Sequence, residues 1–160
     1  MDYPITTAIR FLRDKKISFQ PMLYAYEEHG GTKRSAEELH VSEHSVIKTI
    51  VMKNDSGEPF ITLMHGDFEV SLKQLARFLG VKQVSMCTED EVTRFTGYMV
   101  GGTSPFGTKR RLNIFVEQSI FELPDICING GKRGFLVKIN PQDLKKAFDC
   151  TEVNVAIREM

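Results

Sequence analysis

The run Val46-Ile47-Lys48-Thr49-Ile50-Val51-Met52 narrows the fold more than any other feature, because apolar, mostly β-branched residues in series read as a strand buried on at least one face. A second apolar run, Pro59 to His65, follows across Asn54-Asp55-Ser56-Gly57, so the two predict an antiparallel hairpin with a short loop. A chain that contains such a hairpin is committed to a sheet. What remains is to find the strands and helices that cover it.

Ile5, Ile9 and Leu12 recur at helical spacing with Arg and Lys opposite, which predicts a surface helix over residues 5 to 16, and a strand is expected from Phe19 to Tyr26. Ser35-Ala36-Glu37-Glu38, Ser71-Leu72-Lys73-Gln74 and Thr88-Glu89-Asp90-Glu91 each fit a capping box and mark three helix starts, the second helix closing at Gly80. Leu112 to Glu117, Ile126 to Asn129 and Phe135 to Ile139 read as strands, with Gly130-Gly131-Lys132-Arg133-Gly134 turning between the last two. Asn140 as cap and Pro141 at the first helical position start a final long helix. Helices and strands mix without a βαβ rhythm, so the expected class is α+β with a mixed, mostly antiparallel sheet flanked by helices. No repeat or low-complexity linker divides residues 1–160, which are expected to form a single domain.

Composition then excludes several kinds of function. A chain of 160 residues buries roughly 70% of its unfolded surface and needs no disulfide or metal to hold a core. Cys87, Cys127 and Cys150 are odd in number and in no CxxC spacing, which points to a reducing compartment and away from a zinc knuckle. The N-terminus lacks a basic region followed by an apolar one, and nowhere do eighteen apolar residues run together, so a cytoplasmic protein without a membrane partner is expected. Lys plus Arg (21) balance Asp plus Glu (21), so any contact with nucleic acid must be local, and no DNA partner is expected.

Lys48 is the most informative single residue. By two-residue alternation it shares a face with Val46, Ile50 and Met52, so its ammonium either sits in a pocket or reaches past the sheet edge on a buried stem. In a pocket it offers a fixed cation to a phosphate, a carbonyl or a developing oxyanion. The second feature is the stretch from Gly97 to Gly107, Gly97-Tyr98-Met99-Val100-Gly101-Gly102-Thr103-Ser104-Pro105-Phe106-Gly107, which is either a plain turn or a loop whose amides approach a ligand closely. Gly102 and Gly107 have GxxxxG spacing, but Thr108-Lys109 replaces the Lys-Ser/Thr of a P-loop and a strand follows instead of a helix, so that register is wrong. His40 and His44 have ligand spacing but are separated by a helix end, and no metal or other cofactor is expected. No base stands near Cys87, Cys127 or Ser104 in a way that spacing reveals, so no nucleophile is assigned. Lys109-Arg110-Arg111 and Lys132-Arg133 are solvated faces or holders of a few RNA phosphates, and both border glycine-rich turns.

Tyr24, the lysine strand, His65-Gly66-Asp67 before a capped helix, Gly101-Gly102-Thr103-Ser104-Pro105 and Gly130-Gly131-Lys132-Arg133-Gly134 occur in that order, and together the chain resembles the YbaK-like aminoacyl-tRNA deacylases, relatives of the editing domain inserted in bacterial prolyl-tRNA synthetases. The resemblance covers nearly the whole chain. It implies a barrel-like sheet with a pocket for the 3′-terminal adenosine and its ester-linked amino acid, and hydrolysis of mischarged transfer RNA for proline carrying cysteine, alanine or another small residue. It further implies that Lys48 and Gly101 carry catalysis, that Tyr24, Gly102, Thr103, Ser104, Pro105, Asn129 and Gly130 contact substrate, and that Lys109, Arg110, Lys132 and Arg133 meet phosphates. The expected partners are the aminoacyl-tRNA acceptor end and prolyl-tRNA synthetase. Two positions depart from the family pattern: Asn129 stands where YbaK has Ser, and Leu136 where it has Asp. Leucine accepts no hydrogen bond, so the resemblance leaves cysteine and a small apolar amino acid such as alanine or 2-aminobutyrate both open. Two other readings remain: a non-catalytic module that grips an RNA end or a synthetase, and a nucleotide-binding protein resting on the glycine loop.

Overall fold

The computed structural model describes residues 2–158. In chain order they form α1 (Thr7–Asp14), β1 (Gln20–Leu23), α2 (Gly31–Leu39), β2 (Val46–Asn54), β3 (Pro59–His65), β4 (Phe68–Val70), α3 (Leu72–Leu79), β5 (Val84–Met86), α4 (Glu89–Thr96), β6 (Asn113–Glu117), β7 (Ile126–Lys132), β8 (Phe135–Ile139), α5 (Asp143–Ala147), β9 (Cys150–Val153) and β10 (Ala156–Arg158). The main sheet runs β1-β8-β7-β2-β3-β6-β9, with β5 pairing the far end of β2 on the side where β7 pairs its start, and β10 pairs with β4 in a small second sheet. The β2–β7, β3–β6 and β6–β9 ladders are parallel and the others antiparallel, so the class is α+β with a mixed sheet, as expected.

The predicted hairpin lies at the centre of this sheet, with Ile50 opposite Thr62. Its strands are apolar on both faces because both are covered. Ile47, Val51, Ile61 and Leu63 join α1 and α4 in one core, while Met52, Phe60 and Met64 pack with Leu75 and Ala76 of α3 in another. Val46 belongs to a third, smaller cluster with Ala36, Cys127 and Leu136. Among the described residues no helix is long and apolar enough to cross a membrane.

Several boundaries differ from the sequence reading. Helix α1 starts only at Thr7, because the Thr6 hydroxyl accepts from the Ile9 amide, and Ile5 is left exposed before it. Ser35 is not a cap: α2 begins at Gly31, and the Ser35 hydroxyl donates back to the Thr32 carbonyl inside the helix. At Ser71 only half of the predicted box forms, its hydroxyl accepting from Gln74. The turn expected over residues 130–134 is shorter, since β7 continues to Lys132 through a bulge after Asn129. The long final helix is also a correction: α5 spans five residues, and the chain then adds β9 beside β6. Thr151 and Val153 favour that strand, and the β6 edge offers them a ladder.

The Thr88–Glu91 box forms completely, and Glu91 also receives Lys53 from β2 at 2.9 Å. The Thr88 amide and then the Lys53 ammonium hold the Glu91 carboxyl down to about 2. Its folded value lies below its unfolded one, so the stability it confers is complete above about 4.5 and fades as the pH falls toward 2. Glu91→Gln is therefore expected to unfold at lower urea than the natural chain at pH 7, with the difference vanishing near pH 2. A difference independent of pH would contradict this linkage.

Candidate active site

The middle of β2 borders a cavity of about 490 Å³. Its lining includes Tyr24 and Tyr26 from the segment after β1, Lys48 to Val51 of β2, Val92 of α4, Gly101 and Thr103 of the glycine loop, and Asn129 and Arg133. Six residues that the sequence singled out are thus brought together: Tyr24, Lys48, Gly101, Thr103, Asn129 and Arg133. Thr103 forms a buried stretch with Gly102, Ser104 and Pro105, and the last three, like Gly130, do not line the cavity. Lys109, Arg110 and Lys132 are exposed and likewise stand outside the lining. Arg110 covers the ring of Phe95 at 5.5 Å, a local use of its charge.

Lys48 is partly buried and its ammonium donates to the carbonyl of Phe68 at the start of β4. Among the described residues no carboxylate pairs with it. The Phe68 ring is wedged edge-on against His44 and His65, which stack at 3.7 Å. His65 is fully buried, donating from Nδ1 to the His44 carbonyl and accepting at Nε2 from Ser119 in the neutral tautomer this implies. Burial lowers its pKa, which favours that neutral form. His44 in turn meets Asp67 at 2.9 Å. His44, His65 and Asp67 are close enough to share a metal ion, but both ring nitrogens of His65 already have partners. The cluster is best read as the support beneath Phe68, and so beneath the anchor of Lys48.

The glycine loop is fixed from several sides. Tyr98 is buried and donates to the Phe106 carbonyl at 2.6 Å, burial pushing its phenol up to about 12. The Thr103 hydroxyl and the Gly102 amide both donate to the Met99 carbonyl, and the Phe106 amide donates to Ser104. Asn129 joins the loop to the β7 bulge: Nδ2 donates to the Gly101 carbonyl, while Oδ1 accepts from the amides of Gly131 and Lys132. Arg133 closes the same seam, donating from Nε to Val100 with its guanidinium over the Tyr26 ring. Gly101 has φ +92, and a Cβ there would lie 2.6 Å from the Tyr26 hydroxyl, so glycine is required by conformation and by space. Among the described residues no protein acceptor meets the Gly101 amide. The site therefore offers a cation and a backbone donor around a partly apolar space, a combination suited to stabilising negative charge on an oxygen.

Tyr26 was missed by sequence reasoning, although its two-residue spacing from Tyr24 is the signal that puts both on one side of an extended segment. Leu136 lines the cavity and is buried, so the departure from the family's Asp falls on the pocket itself.

Comparison with known proteins adds an independent line. Residues 28–147 match the family model described as aminoacyl-tRNA editing domain. The chain is 28% identical over 138 residues to a protein of Enterococcus faecalis named "Putative Cys-tRNA(Pro)/Cys-tRNA(Cys) deacylase EbsC", covering 86% of this chain and 84% of that one. It is 33% identical over 116 residues to the proline–tRNA ligase of Geobacter metallireducens, a match that covers 70% of this chain but only 18% of the ligase. Among solved structures it resembles hypothetical protein APE2540 with a TM-score of 0.86 and 19% identity, covering 94% of this chain and 99% of that one. It also resembles "a putative trans-editing enzyme for prolyl tRNA synthetase" with a TM-score of 0.81 and 18% identity, covering 99% and 100% of the two chains. Likeness at such identities speaks to the fold.

Proposed function

This chain belongs to the aminoacyl-tRNA editing domain family, and from that premise we propose that it hydrolyses the ester of mischarged aminoacyl-tRNA in trans, acting on transfer RNA for proline that carries a small wrong amino acid. The observation that carries the reading is the meeting of Lys48, the unpaired Gly101 amide and Tyr24 around one cavity. Water attacks the ester carbonyl carbon, and the negative charge that develops on the carbonyl oxygen is met by the Gly101 N–H. Lys48 supplies the cation that orients and neutralises the RNA end. The C–O bond to the ribose then breaks, the ribose oxygen takes a proton from water, and the products are the free amino acid and a transfer RNA with its terminal hydroxyl restored. An activated ester needs positioning and charge stabilisation more than a protein nucleophile.

Leu136 in the lining supports a small apolar residue, alanine or 2-aminobutyrate, over cysteine, because no side-chain acceptor stands at that position for a thiol. Gly102, Ser104, Pro105 and Gly130 then act by shaping the loop and its seam. Lys132 and Arg133, together with Lys109 and Arg110, meet phosphates of the acceptor stem. With zero net charge the chain has weak intrinsic attraction for RNA, and prolyl-tRNA synthetase supplies part of the selection.

The test is release of amino acid from transfer RNA for proline charged in turn with alanine, 2-aminobutyrate, cysteine, serine and proline. Alanine and 2-aminobutyrate are expected to be released fastest and proline spared. Equal release of proline would overturn the editing reading, and cysteine released far faster than alanine would overturn the role given to Leu136.

A further inference from the structure

The ladder along β2 is interrupted in its middle. β7 pairs with it only through Val46 and Ile47, and β5 only from Met52 to Asn54. Between them Lys48, Thr49, Ile50 and Val51 have no neighbouring strand on that side among the described residues, and all four line the cavity. The cause is the bulge between Asn129 and Lys132, at which β7 no longer follows β2.

Two hydrogen bonds fix which main-chain groups face the opening. The Gly66 amide donates to the Val46 carbonyl from the β3 side, and the Cys87 amide donates to the Val51 carbonyl from the opposite side. Direction alternates along a strand, so the N–H and C=O groups of Thr49 and Val51 point toward the gap. The Val51 carbonyl is taken by Cys87. Among the described residues the Thr49 amide and carbonyl and the Val51 amide remain, and the last two are an acceptor and a donor with the spacing that one residue of a parallel neighbour would fill. Buried main-chain groups are seldom left unpaired, and an edge left open inside a cavity is a place for a ligand to complete the ladder.

We propose that this edge binds the base of the 3′-terminal adenosine. The Watson–Crick edge of adenine carries an amino donor beside a ring-nitrogen acceptor, so the 6-amino group donates to the Thr49 carbonyl while N1 accepts from the Val51 amide. Met86 and Val92 also line the cavity and give the ring an apolar surface. Lys48 and Gly101 share the same space, so a base held at Thr49 and Val51 delivers the ribose ester to them. Because transfer RNA 3′ ends share this adenosine, the contact positions the ester and does not select among transfer RNAs.

The inference rests on the deacylase reading, and the experiment separates the two. Alanyl-transfer RNA for proline is prepared by ligation with a 3′-terminal adenosine, purine riboside or inosine, and kcat/KM is measured after subtracting each ester's spontaneous hydrolysis. Purine riboside lacks the amino group and is expected to lose about tenfold. Inosine presents a carbonyl to the Thr49 carbonyl and an N–H to the Val51 amide, and is expected to lose about a hundredfold or more. If inosine-ended substrate is cleaved as well as the adenosine-ended one, the edge does not read the base while the deacylase reading stands. If the adenosine-ended substrate itself survives, the deacylase reading falls and takes this inference with it.

Discussion

Lys48→Ala is expected to lower kcat/KM for alanyl-transfer RNA by about two to three orders of magnitude, the loss typical when one preorganised charge-stabilising group is removed from a site. The fold is expected to survive. Among the described residues the Lys48 ammonium donates to a single backbone carbonyl and pairs with no carboxylate, so none of them is left as a stranded counter-charge. Lys48→Met separates the two contributions further, since it keeps an apolar stem of similar length over the sheet and removes only the cation. Both variants should unfold near the natural chain's urea midpoint and be equally inactive. A variant with natural kcat/KM would remove Lys48 from the mechanism. One that is inactive only because it is unfolded would show it in the denaturation curve.

Gly102→Ala is expected to have the second largest effect, and through packing instead of charge. A Cβ at Gly102 would lie 2.7 Å from the Arg133 amide nitrogen and 2.9 Å from the Lys132 carbonyl carbon, both backbone atoms of the neighbouring bulge. Neither can yield without parting the glycine loop from β7, and overpacking of this kind costs about 1–3 kcal/mol. The same parting would break the Asn129 bridge to Gly101 and so displace the amide proposed to stabilise the oxyanion. Gly57→Ala is the control: its φ is +82 but nothing lies within 4 Å of the added carbon, so it carries backbone strain without a clash. The expected result is a lower urea midpoint for Gly102→Ala than for Gly57→Ala, with deacylation lost only in the former. Equal stability and full activity for Gly102→Ala would mean that the seam between loop and bulge is not needed.

Much of this was written locally in the chain. The β2–β3 hairpin was legible because β-branched runs and a turn sequence are both local signals, and Lys48 stood out because a cation contradicts its neighbours. The Thr88 box was legible for the same reason, its donors and acceptors all lying within four residues. Ser35 misled because a serine hydroxyl satisfies a carbonyl inside a helix as readily as an amide at its start. The strands β9 and β10 were missed because their pairing partners, β6 and β4, are distant in sequence. The site divides in the same way. Glycine and lysine announced themselves by residue type, whereas the open edge at Thr49 and Val51 depends on where two other strands stop. Lys109 and Arg110 were grouped with the glycine loop by adjacency in sequence, yet the chain carries them out of the cavity lining.

The most direct test of the central claim is a single-turnover measurement with the protein in excess over alanyl-transfer RNA for proline labelled on the amino acid. The account predicts first-order release of alanine well above the spontaneous rate, with the transfer RNA left intact, and no comparable release from prolyl-transfer RNA. Transfer RNA that binds while its alanyl ester decays only at the spontaneous rate would contradict it and identify a binding module.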